Sequence, residues 1–228
     1  MLESLLEVVF PEQCATCEKR IPKPGFCQLC SVSLVEFDSG CIRCAEPNSI
    51  GLCIRCRRST PPFHAITAPY LYGGEIAIAI RKFKFQKQAY IARSLAEVAR
   101  SSFRRASEGI DIAVPVPLHA FRMAVRGFNQ SQELLRQLAT GLPIVTRSFL
   151  KRRGWQKAQS KLGGATRFTN LEKAFHIPRA AKPKLSGKRI LIVDDVVSTT
   201  ATMRAAAATL LEAGAAEITG FCIARVEA

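Results

Sequence analysis

The run RILIVDDVVSTTATM, residues 189–203, limits what the chain can become more than any other stretch. Ile190 to Val193 form an unbroken apolar, branched segment of the kind that fills a buried strand. Two aspartates follow side by side, then the hydroxyls of Ser198, Thr199, Thr200 and Thr202. The alanine-rich segment TATMRAAAATLLEAG then reads as a helix closed by Gly214. A strand feeding directly into a helix is a unit of a parallel sheet, whose neighbouring strands need crossover connections. In such sheets ligands bind beyond the carboxyl ends of the strands, and phosphates sit on the N-terminus of the next helix. Carboxylates do not bind phosphate, but they accept hydrogen bonds from sugar hydroxyls and attract magnesium or another positive centre. Acids and hydroxyls together therefore suit a phosphorylated sugar. A simple helix cap would need only one of these side chains.

The segments around this unit support an α/β domain. HAITAPYLY (64–72), IDIAVPVPL (110–118), RILIVDD and AEITGFCIARV (216–226) read as strands. EIAIAIRKFKF (75–85), IARSLAEVARSSFRR (91–105) and NQSQELLRQLA (129–139) read as helices. Their alternation predicts a mostly parallel sheet flanked by helices. Phe83 and Phe85 are expected to face the core. Pro61–Pro62 marks a boundary between residues 1–60 and residues 61–228, because proline disfavours helix before it and donates nothing to a sheet.

The first region follows other rules. Eight of the nine cysteines lie between residues 14 and 56, as CATC, CQLC, CIRC and CIRC separated by nine, ten and eight residues. Two thiolates three positions apart on a tight turn can face one metal, and two such turns complete a tetrahedral site. Cys14, Cys17, Cys27, Cys30, Cys41, Cys44, Cys53 and Cys56 thus predict two zinc sites, a double zinc ribbon. A disulfide framework ranks below zinc, since the pairing is regular and no secretory signal is present. Consecutive pairing of the units is favoured, and interleaved pairing stays open. Such a module is often purely structural, because a short segment cannot build a sufficient core. Arg43, Arg55, Arg57 and Arg58 could reach nucleic acid or a partner, or stay solvated. Cys222, alone in an apolar run, is expected to be a buried inert thiol.

Lysine and arginine number 33 against 18 acids, a net charge of +15, which favours polyanionic partners. The excess peaks between residues 147 and 173, where eight basic residues meet Glu172 alone. Arg152, Arg153, Lys157 and Lys161 with Trp155 make a candidate surface for single-stranded nucleic acid, where the aromatic could stack on a base. A solvated basic loop is the plainer alternative. No apolar run approaches the about 20 residues that span a bilayer. MLESLLEVVF carries acids and no base, so it reads as a short amphipathic helix of a cytoplasmic protein rather than a signal peptide. His64, His119 and His176 have no ligand spacing.

Two resemblances sharpen this reading. ILIVDDVVSTTAT resembles the phosphoribosyl-pyrophosphate (PRPP) signature of type I phosphoribosyltransferases. It implies that Asp194 and Asp195 hold the ribose hydroxyls and steady an oxocarbenium-like transition state. Ser198, Thr199, Thr200, Ala201 and Thr202 would cradle the 5′-phosphate, with magnesium accompanying PRPP. Thr200 departs from the pattern, because the family usually has glycine there, and a side chain would hinder close backbone approach to the phosphate. VPVPLHAFRMAVRGFNQSQELL (114–135), the preceding cysteine module, AIRKFKFQ (79–86) and QSKLGGATRFTNLEKAF (159–175) are similar to the ComF (ComFC) competence proteins. That resemblance spans essentially the whole chain. Within it FRMAVRGFNQ looks like a mobile loop closing over pyrophosphate, with Arg122 and Arg126 as its cations and Gly127 as hinge. It implies a factor of natural transformation that handles incoming single-stranded DNA at the inner face of the cytoplasmic membrane. An ATP-driven translocase and recombination proteins would be its partners. The alternatives are an active magnesium-dependent phosphoribosyltransferase with an unidentified acceptor, and a zinc-dependent adaptor without catalysis.

Overall fold

The computed structural model describes residues 12–37, 40–86, 88, 90–152 and 174–227. The cysteine-rich region holds two short helices, α1 (Gln28–Ser31) and α2 (Ile54–Arg58), each starting on the first thiol of a Cys-x-x-Cys unit. Beyond it the chain alternates as expected. Strands β1 (Ile66–Thr67) and β2 (Tyr70–Leu71) precede helices α3 (Gly74–Phe85) and α4 (Ile91–Ala106), then come β3 (Ile112–Pro115), α5 (Ala120–Arg126), α6 (Gln130–Leu138) and β4 (Val145–Thr146). The chain ends in β7 (Arg189–Val197), α7 (Ala201–Glu212) and β8 (Glu217–Arg225). The sheet is parallel, in the order β1, β8, β7, β3, β4, with β2 also paired to β8.

Alternation along the strands sorts the core into two faces. Leu191 and Val193 join Ala113, Phe221 and Ile223 on one face, under Ile80 and Phe83 of α3, Leu95 and Phe103 of α4, and Leu134 and Leu138 of α6. Ile190 and Ile192 join Ile112, Val114 and Cys222 on the other, under Met203, Ala206 and Leu210 of α7. That second cluster also includes Cys41, Cys44, Cys53 and Cys56, so the second half of the cysteine module helps to cover the sheet. Cys222 is fully buried, and burial pushes its thiol pKa well up, as suits an inert side chain.

Three elements differ from the sequence expectation. The strand read over 64–72 is broken into β1 and β2, which follow the same edge of β8. Pro69 lies between them and has no N–H for the ladder. The segment read as a loop, FRMAVRGFNQ, contains α5, because nothing in AFRMAVR breaks a helix before Gly127. His119 caps it by accepting from the Phe121 N–H at 3.2 Å, and Gly127 ends it in the left-handed conformation at φ 82°. Finally, Phe83 is buried but Phe85 is 69% exposed, since residues two apart on a helix lie on nearly opposite sides.

A small antiparallel pair joins β5 (Lys151–Arg152), near the start of the most basic stretch, to β6 (Phe175–His176), just beyond its end. Arg153, Trp155, Lys157 and Lys161 lie outside the described residues, as do the N-terminal helix expected in MLESLLEVVF and most of QSKLGGATRFTNLEKAF. Among the described residues no helix is long and apolar enough to cross a membrane.

Candidate functional site

The acid pair owes its setting to unequal strand lengths. β3 stops at Pro115, opposite Val193, and the Val116 N–H makes a last bond to the Val193 carbonyl at 2.9 Å. β7 continues beside β8 as far as Val197, two residues further than RILIVDD suggested. From Asp194 onward its β3 side is therefore open. Ser131, in the first turn of α6, donates to Asp194 Oδ1 at 2.7 Å, and the Asp195 N–H donates to the same oxygen at 2.9 Å. Burial, followed by the charge of Asp195, pushes the Asp194 pKa up to about 7. Asp195 is 6% exposed and pairs through Oδ2 with Lys84 Nζ, 2.9 Å away in the last turn of α3. Two adjacent carboxylates are thus compensated differently, one by partial protonation and one by a cation.

The hydroxyl loop bridges β7 and α7. Among the described residues, no main-chain N–H from Ser198 to Thr202 donates to another main-chain carbonyl. Free amides at the start of a helix suit an anion. Thr200 has φ 64° and ψ −1°, the left-handed region that costs a side-chain-bearing residue about 1–2 kcal/mol. The position marked in the sequence by its missing glycine thus keeps the backbone that glycine favours. Its hydroxyl is held by Arg204, whose Nε donates to Oγ1 at 3.2 Å.

Beside the acids opens a cleft of about 510 Å3 lined by Arg81, Lys84, Phe85, Phe121, Arg122 and Arg126, among others. Phe121 is 65% exposed, and the Arg126 guanidinium lies 5.0 Å from the centroid of the Phe85 ring. Arg126 also donates to Gln130 Oε1 at 3.0 Å. Burial and then the charge of Arg122 push its pKa down, against the pull of both acids. Arg152 lies over Phe175 at 5.5 Å, and its pKa is lowered by burial and by Arg122 while Asp194 opposes the shift. Of the basic residues singled out between 147 and 173, Arg152 is therefore placed within electrostatic reach of the acid site.

The cysteines group consecutively. Cys14, Cys17, Cys27 and Cys30 form one set and Cys41, Cys44, Cys53 and Cys56 the other, with all sulfurs of a set within 4.8 Å of one another. Cys17 and Cys27 Sγ are 3.7 Å apart, and Cys44 and Cys53 Sγ 3.6 Å. A zinc tetrahedron with bonds of about 2.3 Å has edges of roughly 3.8 Å, so both sets fit that metal. The Cys27 N–H donates to Cys14 Sγ and the Cys53 N–H to Cys41 Sγ, each at 3.3 Å. Burial pushes the Cys41 thiol up, but N–H groups of Cys53, Cys44 and Arg43 outweigh it and bring the pKa down to about 6, favouring thiolate. Three of the four arginines near this set are engaged within the chain. Arg43 donates to the carbonyls of Phe63 and His64, Arg57 to that of Leu52, and Arg55 pairs with Glu46.

Ser131, Lys84, Arg81 and Phe121 are site residues that sequence reasoning did not single out for these roles. A serine two positions after a capping asparagine gives no chemical signal by itself. Lys84 stood only within a basic, phenylalanine-rich run, although its position one turn from a helix end was legible.

Residues 87–227 match the family model of the phosphoribosyl transferase domain. Competence protein F of Haemophilus influenzae is 28% identical over 93% of this chain and 90% of its own length. The DNA utilization protein YhgH of Salmonella typhimurium is 31% identical over 88% of this chain and 90% of its own. Competence protein ComFC of Bacillus subtilis is 26% identical over 90% and 85%.

Proposed function

Because the chain belongs to the phosphoribosyl transferase domain family, and to the group of competence protein F and YhgH relatives within it, we propose that it is a competence factor. It handles incoming single-stranded DNA in natural transformation, on the cytoplasmic side of the membrane, and carries a pocket for a phosphorylated ribose. The observation that carries this reading is the position of Lys84, which pairs with Asp195 and also lines the aromatic, cationic cleft. A sugar-phosphate site and a stacking surface for unpaired bases thus share one side chain.

In this reading Asp194 and Asp195 accept from the ribose hydroxyls, and the amides and hydroxyls of residues 198–202 hold the 5′-phosphate. Arg122 and Arg126 on α5 neutralise a pyrophosphate. Magnesium accompanying a pyrophosphate would find the carboxylates of Asp194 and Asp195 as its ligands and would supply further positive charge there. Phe85 and Phe121 stack bases while Arg81 and Arg122 meet phosphates. An ATP-driven translocase that delivers the strand and recombination proteins that receive it are the partners such a role needs.

Calorimetry with magnesium–PRPP and with ribose 5-phosphate, beside anisotropy of a labelled single-stranded oligonucleotide, tests both halves. Asp195→Asn should weaken sugar-phosphate binding about tenfold or more, the scale of one hydrogen bond to a charged group, and, because it frees Lys84 for the cleft, should not weaken DNA binding. Phe121→Ala should weaken DNA binding by about 1–3 kcal/mol and leave sugar-phosphate binding intact. A wild-type protein indifferent to both sugar phosphates would overturn the pocket, and DNA affinity insensitive to salt would overturn the cleft. A second reading, ribosyl transfer from PRPP, is favoured by the glycine-like backbone of Thr200. Magnesium-dependent release of pyrophosphate tests it.

A further inference from the structure

The end of β8 holds a cation where water cannot reach. Arg225 is 0% exposed. One guanidinium nitrogen pairs with Glu46 Oε2 and another donates to the Ser198 carbonyl. Glu46 belongs to the second cysteine set, between Cys44 and Cys53. Its carbonyl accepts from the Cys41 N–H at 2.8 Å, and its carboxylate also takes Arg55 from between Cys53 and Cys56. A connected path therefore runs from the second metal-binding set through Glu46 and Arg225 to the first residue of the hydroxyl loop.

A second path reaches the same loop two residues on. Arg204 donates to the Ser59 carbonyl at 2.6 Å and to Ser59 Oγ at 3.3 Å, while its Nε holds Thr200 Oγ1. Ser59 is the residue on which α2 ends, three positions after Cys56. Between module and loop lies a cavity of about 640 Å3, bordered by Cys44, Cys56, Ser59, Thr199, Thr200 and Arg204. Arg204 spans this gap, whereas Arg225 reaches the loop from the buried end of β8. A buried ion pair gives little net stability compared with apolar packing, so what Glu46 and Arg225 supply is position. The first cysteine set has other attachments: Lys82 to the Thr16 carbonyl and Glu18, the Gly25 N–H to Ser94, and Arg93 to Glu12. These lead to α3 and α4.

We infer that the second cysteine set, with its metal bound, positions the hydroxyl loop through Glu46–Arg225 and Ser59–Arg204, so that disturbing this set loosens the loop and misplaces the free amides of residues 198–202. The first set has no such control. The identity of the anion bound by those amides rests on the function proposed above, whereas the positioning itself does not. Hydrogen exchange of the full-length, zinc-loaded chain tests it, comparing wild type with Glu46→Gln and Arg204→Met, which keep all eight ligands, and with Cys17→Ser in the first set. Exchange of the residue-204 and Val226 amides, which bond to the Thr200 and Val197 carbonyls on either side of the loop at 2.8 Å each, should quicken about tenfold in Glu46→Gln and Arg204→Met, the scale of a lost charge-assisted hydrogen bond, and stay unchanged in Cys17→Ser. Unchanged loop exchange in both bridge variants overturns the inference. So does an acceleration spread evenly over β3, β7 and β8, which marks a structural role alone. Ribose 5-phosphate titration of the same proteins adds a second readout, with the affinity of Glu46→Gln expected to fall about tenfold. Should wild type not bind that ligand, the phosphate reading fails while the exchange data still decide the positioning.

Discussion

The two cysteine sets have the same ligands and nearly the same internal spacing, nine against eight residues between the pairs, yet the chain uses them differently. Cys14, Cys27 and Cys30 pack into a small cluster with Ile21 and Phe26, and Cys17 is exposed. Its polar links run to two helices on one face, and its neighbours Ala15 and Phe26 join the apolar cluster on that face. Cys41, Cys44, Cys53 and Cys56 are all buried and belong to the larger apolar cluster that includes Ile112, Ile190 and Ile192 of the sheet. Chelation is a local property of Cys-x-x-Cys. What the chelate stabilises depends on the surface it is packed against: the first set meets the core only through neighbours such as Ala15, and the second through its own four thiols.

Removing one ligand from each set should break this comparison most visibly. Cys53→Ser should lose one of two zinc ions and several kcal/mol, lowering Tm by about 10 °C or more at this chain length. Cys17→Ser should lose the other ion, with a Tm change of only a few degrees. Metal content paired with calorimetry checks both, and equal losses would show that the two sets are energetically equivalent.

The ion pairs next to each set give a smaller contrast. Glu46→Gln leaves the buried Arg225 without its carboxylate and should cost about 3 kcal/mol. Glu18→Gln removes the partner of Lys82 beside the first set. Because Glu18 is half exposed, it should cost less than about 1 kcal/mol. Denaturant midpoints of the two variants, at unchanged zinc content, decide the point.

This contrast also marks what the sequence made legible. Four residues suffice to write Cys-x-x-Cys, and thirteen to write ILIVDDVVSTTAT, so the metal sets, the parallel sheet and the acid pair were all readable. Glu46 and Arg225 stand far apart along the chain, and no short pattern joins them. A hint existed, because arginine inside the apolar run FCIARV demands a buried partner, but nothing named which acid would provide it. Helix α5 was missed for the opposite reason, since the resemblance to a mobile loop outweighed the local propensity of AFRMAVR. Lys84 became a site residue only when α3 and β7 were placed side by side.

The pH dependence of stability adds an effect of lesser size on the side of the second set. The Asp194 carboxyl, ordinarily near 3.8, is raised to about 7 by burial and by Asp195. The folded chain therefore holds a proton that the unfolded chain has released. Its contribution to stability is complete below pH 3.8 and is lost as pH rises to about 7. Asp194→Asn should flatten that slope and add on the order of 2 kcal/mol at pH 8 relative to wild type. The slope should persist in Cys17→Ser, which removes none of the groups that touch Asp194. Urea titrations from pH 4 to 8 measure it.

The smallest expected effect falls on Thr200. Glycine would relieve about 1–2 kcal/mol of left-handed strain. It would also lose the Arg204 bond, about 0.5–1.5 kcal/mol, and add about 0.5–1 kcal/mol of unfolded-state entropy. These nearly cancel, so Thr200→Gly should change stability by less than about 1 kcal/mol. Thr200→Ala keeps the strain without the bond and should be the less stable of the two. Loop exchange separates positioning from strain, because both variants cut the tie from Thr200 to Arg204 and Ser59. Both should exchange faster than wild type at the Arg204 and Val226 amides that bond to the two sides of the loop, whatever their stability. Acceleration in Thr200→Ala alone would assign the conformation of Thr200 to local strain and take that residue out of the link to the second cysteine set.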